Sequence, residues 1–368
     1  MKARRELPRS WRSLKRGLVI MISWGIIGCG GIARRQMVPA LGECKSSRVV
    51  AVMDCDKAAT EEVAAQTGAR PYFTEADLLA DPEVQAVYIA TPVFLHATQV
   101  IEAAAAGKHV MVEKPIALTV EQAEEMISAC NQAGVFLTEG YMMKFHGANA
   151  KAREMVAAGD IGQVVFARAE LTCWYPPIEG AWRQDPKLGG GGALIDMATH
   201  CYDLLQFIIG SKITEVFAFT DTLTHGYPVD DSSTTLLRFE NGAQAVVDAF
   251  FNVPDAASQA RLELYGNKGS IQGEGTIGQA PSGKMVAYLG DSAKDYDPRQ
   301  ARDSLDVNAR EVEYTPVNMY AAEMDYMSGC IESGTAPTVN TGEEGLRILK
   351  VALAAYESSK TGCKVKVS

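Results

Sequence analysis

No apolar run in this 368-residue chain approaches the roughly 20 residues that a membrane-spanning helix needs. An excess of basic residues is missing too: 35 Lys and Arg face 45 Asp and Glu, a formal net charge of -10. Nucleic acid and anionic membrane surfaces both reward a basic protein, so neither is an expected partner. Cysteine pairing is absent as well. The eight cysteines form no C-x-x-C pair and no Cys/His cluster with metal-ligand spacing. No metal site is therefore expected, and the thiols read as free side chains in a reducing compartment, the cytoplasm. There is no internal repeat and no low-complexity tract. What remains is ordinary globular composition, 47% hydrophobic and 22% charged. The length exceeds what one core usually serves, which predicts two domains.

Three regions differ in character. Residues 1–21 are basic, with Lys2, Arg4, Arg5, Arg9, Arg12, Lys15 and Arg16 against Glu6 alone. They read as a disordered tail or the product of an upstream start codon, with Met21 opening the folded protein. Residues 22–145 alternate short apolar strands (22–27, 48–54, 86–90, 109–112, 135–138) with helical stretches (32–41, 93–106, and a T-x-x-Q-capped helix ending at Gly134). That alternation predicts a parallel, doubly wound sheet. Residues 146–368 carry longer alternating runs (164–174, 213–221, 234–240, 243–252, 261–266) and turns such as Asn241-Gly242. They predict an α+β domain on one large, open, mostly antiparallel sheet. Residues 275–310 read as a polar loop excursion. A helix near 193–209 follows the glycine run 189–192, and two helices close the chain.

Gly28-Cys29-Gly30-Gly31-Ile32-Ala33 fits G-x-G-x-x-A between a strand and a helix. The glycines permit a tight turn and close backbone approach to a pyrophosphate, which the helix N-terminus then attracts. Asp54 ends the second strand, where an acid accepts from ribose hydroxyls and repels a 2′-phosphate, so NAD is expected over NADP. Thr91, Pro92 and His96 follow one strand end and Glu113-Lys114 another, on the side where such sheets bind ligands. Asp196, His200 and Asp203 stand at i, i+4 and i+7, one face of a helix. An acid beside a histidine suits general-base chemistry. Tyr141, His146, Trp174, Tyr175, Trp182 and Arg183 are candidate linings of a crevice for a polyhydroxylated ring.

The chain resembles the Gfo/Idh/MocA oxidoreductases in GIIGCGGIA (25–33), TPVFLH (91–96), AAAAGKHVMVEKP (103–115), TEGYMMKFH (138–146) and WRQDPKLGGGGALIDMATHCYD (182–203). The resemblance runs from about residue 22 to the C-terminus. It implies a Rossmann domain, a C-terminal sheet that often forms an oligomer interface, and a Lys/Asp/His constellation mapping onto Lys114, Asp196 and His200. His200 is similar to the inositol dehydrogenase pattern rather than the Tyr of many sugar-oxidising branches. Where relatives often read Tyr-Arg-x-His, this chain has Met143-Lys144-Phe145-His146. The implied activity is hydride transfer between a sugar, cyclitol or related polyol and nicotinamide, in a homodimer or homotetramer. The alternatives are a redox-neutral NAD-dependent glycosidase and a dinucleotide-sensing regulator.

Overall fold

The computed structural model describes residues 21–290 and 308–368. The basic leader and the centre of the 275–310 segment lie outside the described residues.

The first sheet holds β1 (Ile22–Ile27), β2 (Ser47–Met53), β3 (Arg70–Tyr72), β4 (Ala86–Ile89), β5 (His109–Val112) and β6 (Leu137–Glu139). All its pairings are parallel, in the order β3-β2-β1-β4-β5-β6. Every residue of β1 and β4 is buried, as a strand covered by helices on both faces must be. Local chemistry sets the helix ends. Asp56 caps Lys57–Thr67 by accepting from Ala58 and Ala59 N–H, and Thr119 caps Val120–Ala133 by accepting from Gln122 N–H. Gln122 reaches back to Leu118 N–H, one residue short of a reciprocal capping box, whereas Thr341 and Glu344 form the complete box on Gly342–Thr361.

The second sheet comprises β7 (Val164–Thr172), β8 (Ile213–Asp221), β9 (Ser232–Phe239), β10 (Gln244–Phe250), β11 (Ala260–Gly266), β12 (Gly269–Glu274), β13 (Lys284–Leu289), β14 (Asn308–Glu311) and β15 (Val365–Lys366). Its order is β14-β13-β12-β11-β7-β10-β9-β8-β15, and all pairings are antiparallel except β7 with β10. The expected loop excursion over 275–310 is corrected here: β13 lies inside it and β14 opens within it, extending one edge of the sheet. β13 alternates buried Met285 and Ala287 with less buried neighbours, a period of two that the polar residues on either side obscure in sequence.

The inner face of this sheet meets the helices Thr199–Ile209 and Gly342–Thr361. The C-terminal helices also reach the first sheet: Gly342–Thr361 packs on Val120–Ala133, and Trp24 of β1 donates its indole N–H to Ser328 Oγ at 2.9 Å. The carboxyl ends of β1, β4 and β5 are thereby held against the start of the helical segment that carries Asp196 and His200.

Candidate active site

The glycine turn is built for close approach. Gly28 has φ +100°, and a Cβ there would sit 2.8 Å from the Ala90 carbonyl carbon at the end of β4. Before Gly30 the space is open, with nothing within 4 Å of an added Cβ. The helix that follows opens at Gly31 and passes into a π-turn over Ala33–Met37, and Gly30 ahead of it has no side chain with which to cap it. Its leading N–H groups therefore remain for an anion. Asp54 leans onto this turn: Oδ2 accepts from Cys29 N–H at 2.7 Å and Oδ1 from Asp56 N–H at 3.0 Å. Room, free amides and an acid at the end of β2 fit an adenine dinucleotide.

Lys114, just past β5, donates from Nζ to the Asp196 carbonyl and to its Oδ1, each at 2.7 Å. Arg183 Nε reaches the same Oδ1 at 3.3 Å, and its guanidinium lies 4.3 Å from the Trp182 ring centroid. The Lys114 and Asp196 side chains are 10% and 25% exposed, so the pair is enclosed yet reachable. Burial raises the Asp196 carboxyl, but Lys114 and Arg183 outweigh it and hold the acid well below the usual carboxylate range. An ammonium has three donors, and Lys114 spends only two of its own on Asp196.

His200 lies next to this pair, buried. Burial and the Lys114 charge both push its imidazole well below the ordinary histidine range, against the pull of Asp196, so the ring is neutral near pH 7. Nδ1 is enclosed without a partner, and the Tyr141 ring meets the imidazole edge-on at 5.5 Å. The expected stacking of Asp196, His200 and Asp203 on one helix face is altered by a π-turn over Leu194–Ala198. Its wider turn shifts the phase ahead of Thr199–Ile209. Asp196 consequently faces Lys114 and Arg183, while Asp203 turns to the buried Lys144 at 2.8 Å.

Glycines seat this segment. A Cβ on Gly192 would lie 1.8 Å from the Asp230 carbonyl oxygen, and one on Gly191 2.0 Å from Tyr356 Oη. The Asp230 carboxylate accepts from Gly192 N–H and Leu194 N–H, both at 2.8 Å, and from Tyr356 at 2.7 Å. Sequence reasoning missed Asp230, which is 38 residues from Gly192. Lys144, noted only as a departure from relatives, bridges Asp203 and Glu344, which also serves the capping box.

Several candidates fall elsewhere than expected. His146 is corrected: it is fully buried, its Nδ1 accepts from Ala148 N–H as the cap of helix Gly147–Ala158, and its ring packs on Tyr314. His96 is buried as well. Both its ring nitrogens lie 3.0 Å from carbonyl oxygens, of Thr91 and Pro115, and burial pushes the imidazole down to about 4. The neutral ring has one N–H, so it donates to only one of those carbonyls and lies between the two strand-end loops. Thr91 bonds Gln99 at 2.5 Å and Pro92 leads into a short 3-10 turn. Glu113 bonds Tyr88 Oη, and burial raises its carboxyl. Trp174 stays 42% exposed against His225, and Tyr175 packs on Phe251. Among the described residues no group of His, Cys, Asp or Glu is arranged to hold a metal ion.

A glycine turn at the switch point of a doubly wound sheet, with Lys114 of the same domain joined to Asp196 and His200 of the second, fits a dinucleotide-dependent oxidoreductase. Residues 22–141 match the family model of the NAD-binding Rossmann oxidoreductases, and residues 149–272 that of the GFO/IDH/MocA C-terminal domain. The chain belongs to the Gfo/Idh/MocA family and carries its NAD-binding domain. It is 29% identical to the 1,5-anhydro-D-fructose reductase of Ensifer adhaerens, over 93% of this chain and 97% of that protein. With the scyllo-inositol 2-dehydrogenase (NAD(+)) of Bacillus subtilis it shares 26% identity over 93% and 95%. The crystal structure of the aldose-aldose oxidoreductase of Caulobacter crescentus superposes with a TM-score of 0.84 at 29% identity, covering 94% of this chain and 99% of that one.

Proposed function

We propose that the protein oxidises a secondary alcohol of a sugar, cyclitol or related polyol, with NAD preferred. The observation that carries this reading is a Lys114 ammonium with a donor to spare, anchored on Asp196 beside a neutral His200. Bound nicotinamide supplies the hydride acceptor. The chain's own residues handle the proton. Nδ1 of His200 is enclosed, so in this reading Nε2 takes the proton from the substrate hydroxyl. The third N–H of Lys114 stabilises the developing alkoxide. Asp196, pulled by two cations, fixes Lys114 rather than orienting His200. Arg183 and the faces of Trp182 and Trp174 suit the hydroxyls and CH surface of a ring. Asp54, locked against the glycine turn, repels a 2′-phosphate.

The relatives support a carbohydrate or cyclitol substrate, since those cited are named for sugars and an inositol. We infer a homo-oligomer paired through the outer face of the second sheet, where Phe219, Leu236 and Val165 are 66%, 51% and 49% exposed. The eight unpaired thiols suit the cytoplasm. A panel of sugars and cyclitols with NAD or NADP, read by the absorbance of reduced nicotinamide, tests the reading. Turnover with at least one polyol, faster with NAD, is expected. Absence of reduced nicotinamide across the panel, or a preference for NADP, contradicts it.

A further inference from the structure

Arg35 is a cation without an assigned partner at the mouth of the glycine turn. A Cβ built on Gly31 would lie 2.6 Å from one Arg35 guanidinium nitrogen and 3.0 Å from Cζ, so the guanidinium covers the turn itself. Neighbouring Arg34 points away and pairs with Glu62 at 3.0 Å, and Gln36 bonds Gln279 at 2.8 Å. Among the described residues Arg35 donates no hydrogen bond and makes no ion pair, although the chain carries a net charge of -10. Gly31 and Arg35 stand at i and i+4 of one helix, and a side chain that leans back toward the helix N-terminus comes over the residue four positions earlier. The space before the neighbouring Gly30 is open, with nothing within 4 Å of an added Cβ.

We propose that Arg35 clamps the pyrophosphate of the bound dinucleotide, bonding phosphate oxygens from the side opposite the turn's amides. The proposal rests on dinucleotide binding at Gly28–Ala33. The planar guanidinium matches two phosphate oxygens at once, which an ammonium cannot do. The 2′ end of the adenosine ribose belongs to a different place, the end of β2, where Asp54 holds Cys29 N–H. Arg35 therefore acts on the group common to NAD and NADP rather than choosing between them.

Calorimetric titration of the full chain with ADP-ribose, NAD, NADP and adenosine separates the possibilities. For Arg35→Met we expect ADP-ribose, NAD and NADP to bind roughly tenfold more weakly, the loss of a charge-assisted contact, with adenosine unchanged. Arg35→Lys should recover part of the loss, and added salt should weaken wild type more than Arg35→Met. Arg35 is exposed, so equal melting temperatures are expected for all three proteins. Binding of ADP-ribose within about twofold of wild type overturns the clamp. A loss confined to NADP overturns it in favour of a 2′-phosphate contact, and an equal loss with adenosine overturns it in favour of a structural role. Wild-type protein that binds adenosine but not ADP-ribose removes the dinucleotide reading beneath it.

Discussion

Lys144 is 4% exposed yet charged, a state that burial alone opposes and that Asp203 and Glu344 restore. The cost appears on the acid: burial pushes Asp203 up to about 6 even with Lys144 beside it. A carboxyl whose native pKa exceeds its unfolded value of 3.8 favours the folded state most at low pH, and that contribution fades as pH rises through about 6. Removing Lys144 raises the acid further, so as pH rises the folded state must either hold Asp203 protonated or bury an uncompensated carboxylate. Lys144→Met should therefore lose about 3–5 kcal/mol of stability near pH 8 and progressively less toward pH 5. Denaturant titration at several pH values checks this, and a loss independent of pH would contradict it. Residues of this kind are poorly legible in sequence. Lys114, Asp196 and His200 could be picked out because each sits in a motif. The partners of Lys144 lie on two other helices, and nothing local marks them. His146 misled for the converse reason: a histidine before a glycine reads as a crevice residue or a helix cap equally well, and only burial decides.

Elements obey local rules more openly. Caps at Thr119 and Thr341, the G-x-G-x-x-A turn and the alternation of β7 to β11 were all readable, because hydrogen-bond closure and periodicity act within a few residues. Missed elements were short (β3), set in polar surroundings (β13) or without a clear apolar stripe (the helix Lys57–Thr67), and the π-turns leave no periodic mark in the sequence. The glycine run before the segment that carries Asp196 and His200 was visible, but not its reason. Asp230 and Tyr356 occupy the volume that side chains there would need. Gly192→Ala should therefore displace the Asp230 backbone, cost at least about 1–3 kcal/mol and lower turnover together with stability. Gly329 offers a matched comparison within the helix Met319–Ser333, where an added Cβ meets nothing within 4 Å. Gly329→Ala should gain roughly 0.4–1 kcal/mol and leave turnover unchanged. Thermal unfolding and steady-state rates of the two variants check the pair, and a tolerated Gly192→Ala would contradict the packing argument.

At the scale of the whole molecule, the two sheets serve different ends. The first ends its strands at a cofactor turn. The second turns one face to the helices and leaves Phe219, Leu236 and Val165 outward. Alternation made both faces legible, and the outward one is where we propose that a second copy pairs. Light scattering at micromolar concentration should give a dimer or tetramer, and Leu236→Glu should lower the mass; a 39.6 kDa species from wild type would contradict pairing through this face.

Chemistry also depends on the whole molecule, since Lys114 follows β5 of one sheet while Asp196 and His200 lead a helix packed on the other. The most direct test is the pH profile of kcat/KM for polyol oxidation by wild type, His200→Ala and Lys114→Ala, with NAD affinity measured alongside. Burial and Lys114 depress His200, so the wild-type rate should hold steady near neutrality and fall only well below pH 6.5, where the imidazole takes a proton. Lys114→Ala should turn over more slowly, and its acid limb should move up toward pH 6.5 because one lowering charge is gone. His200→Ala should lose roughly 10²–10⁴ in rate and its acid limb together, with NAD binding intact. A His200→Ala enzyme with near-normal turnover and an unchanged acid limb would contradict the account.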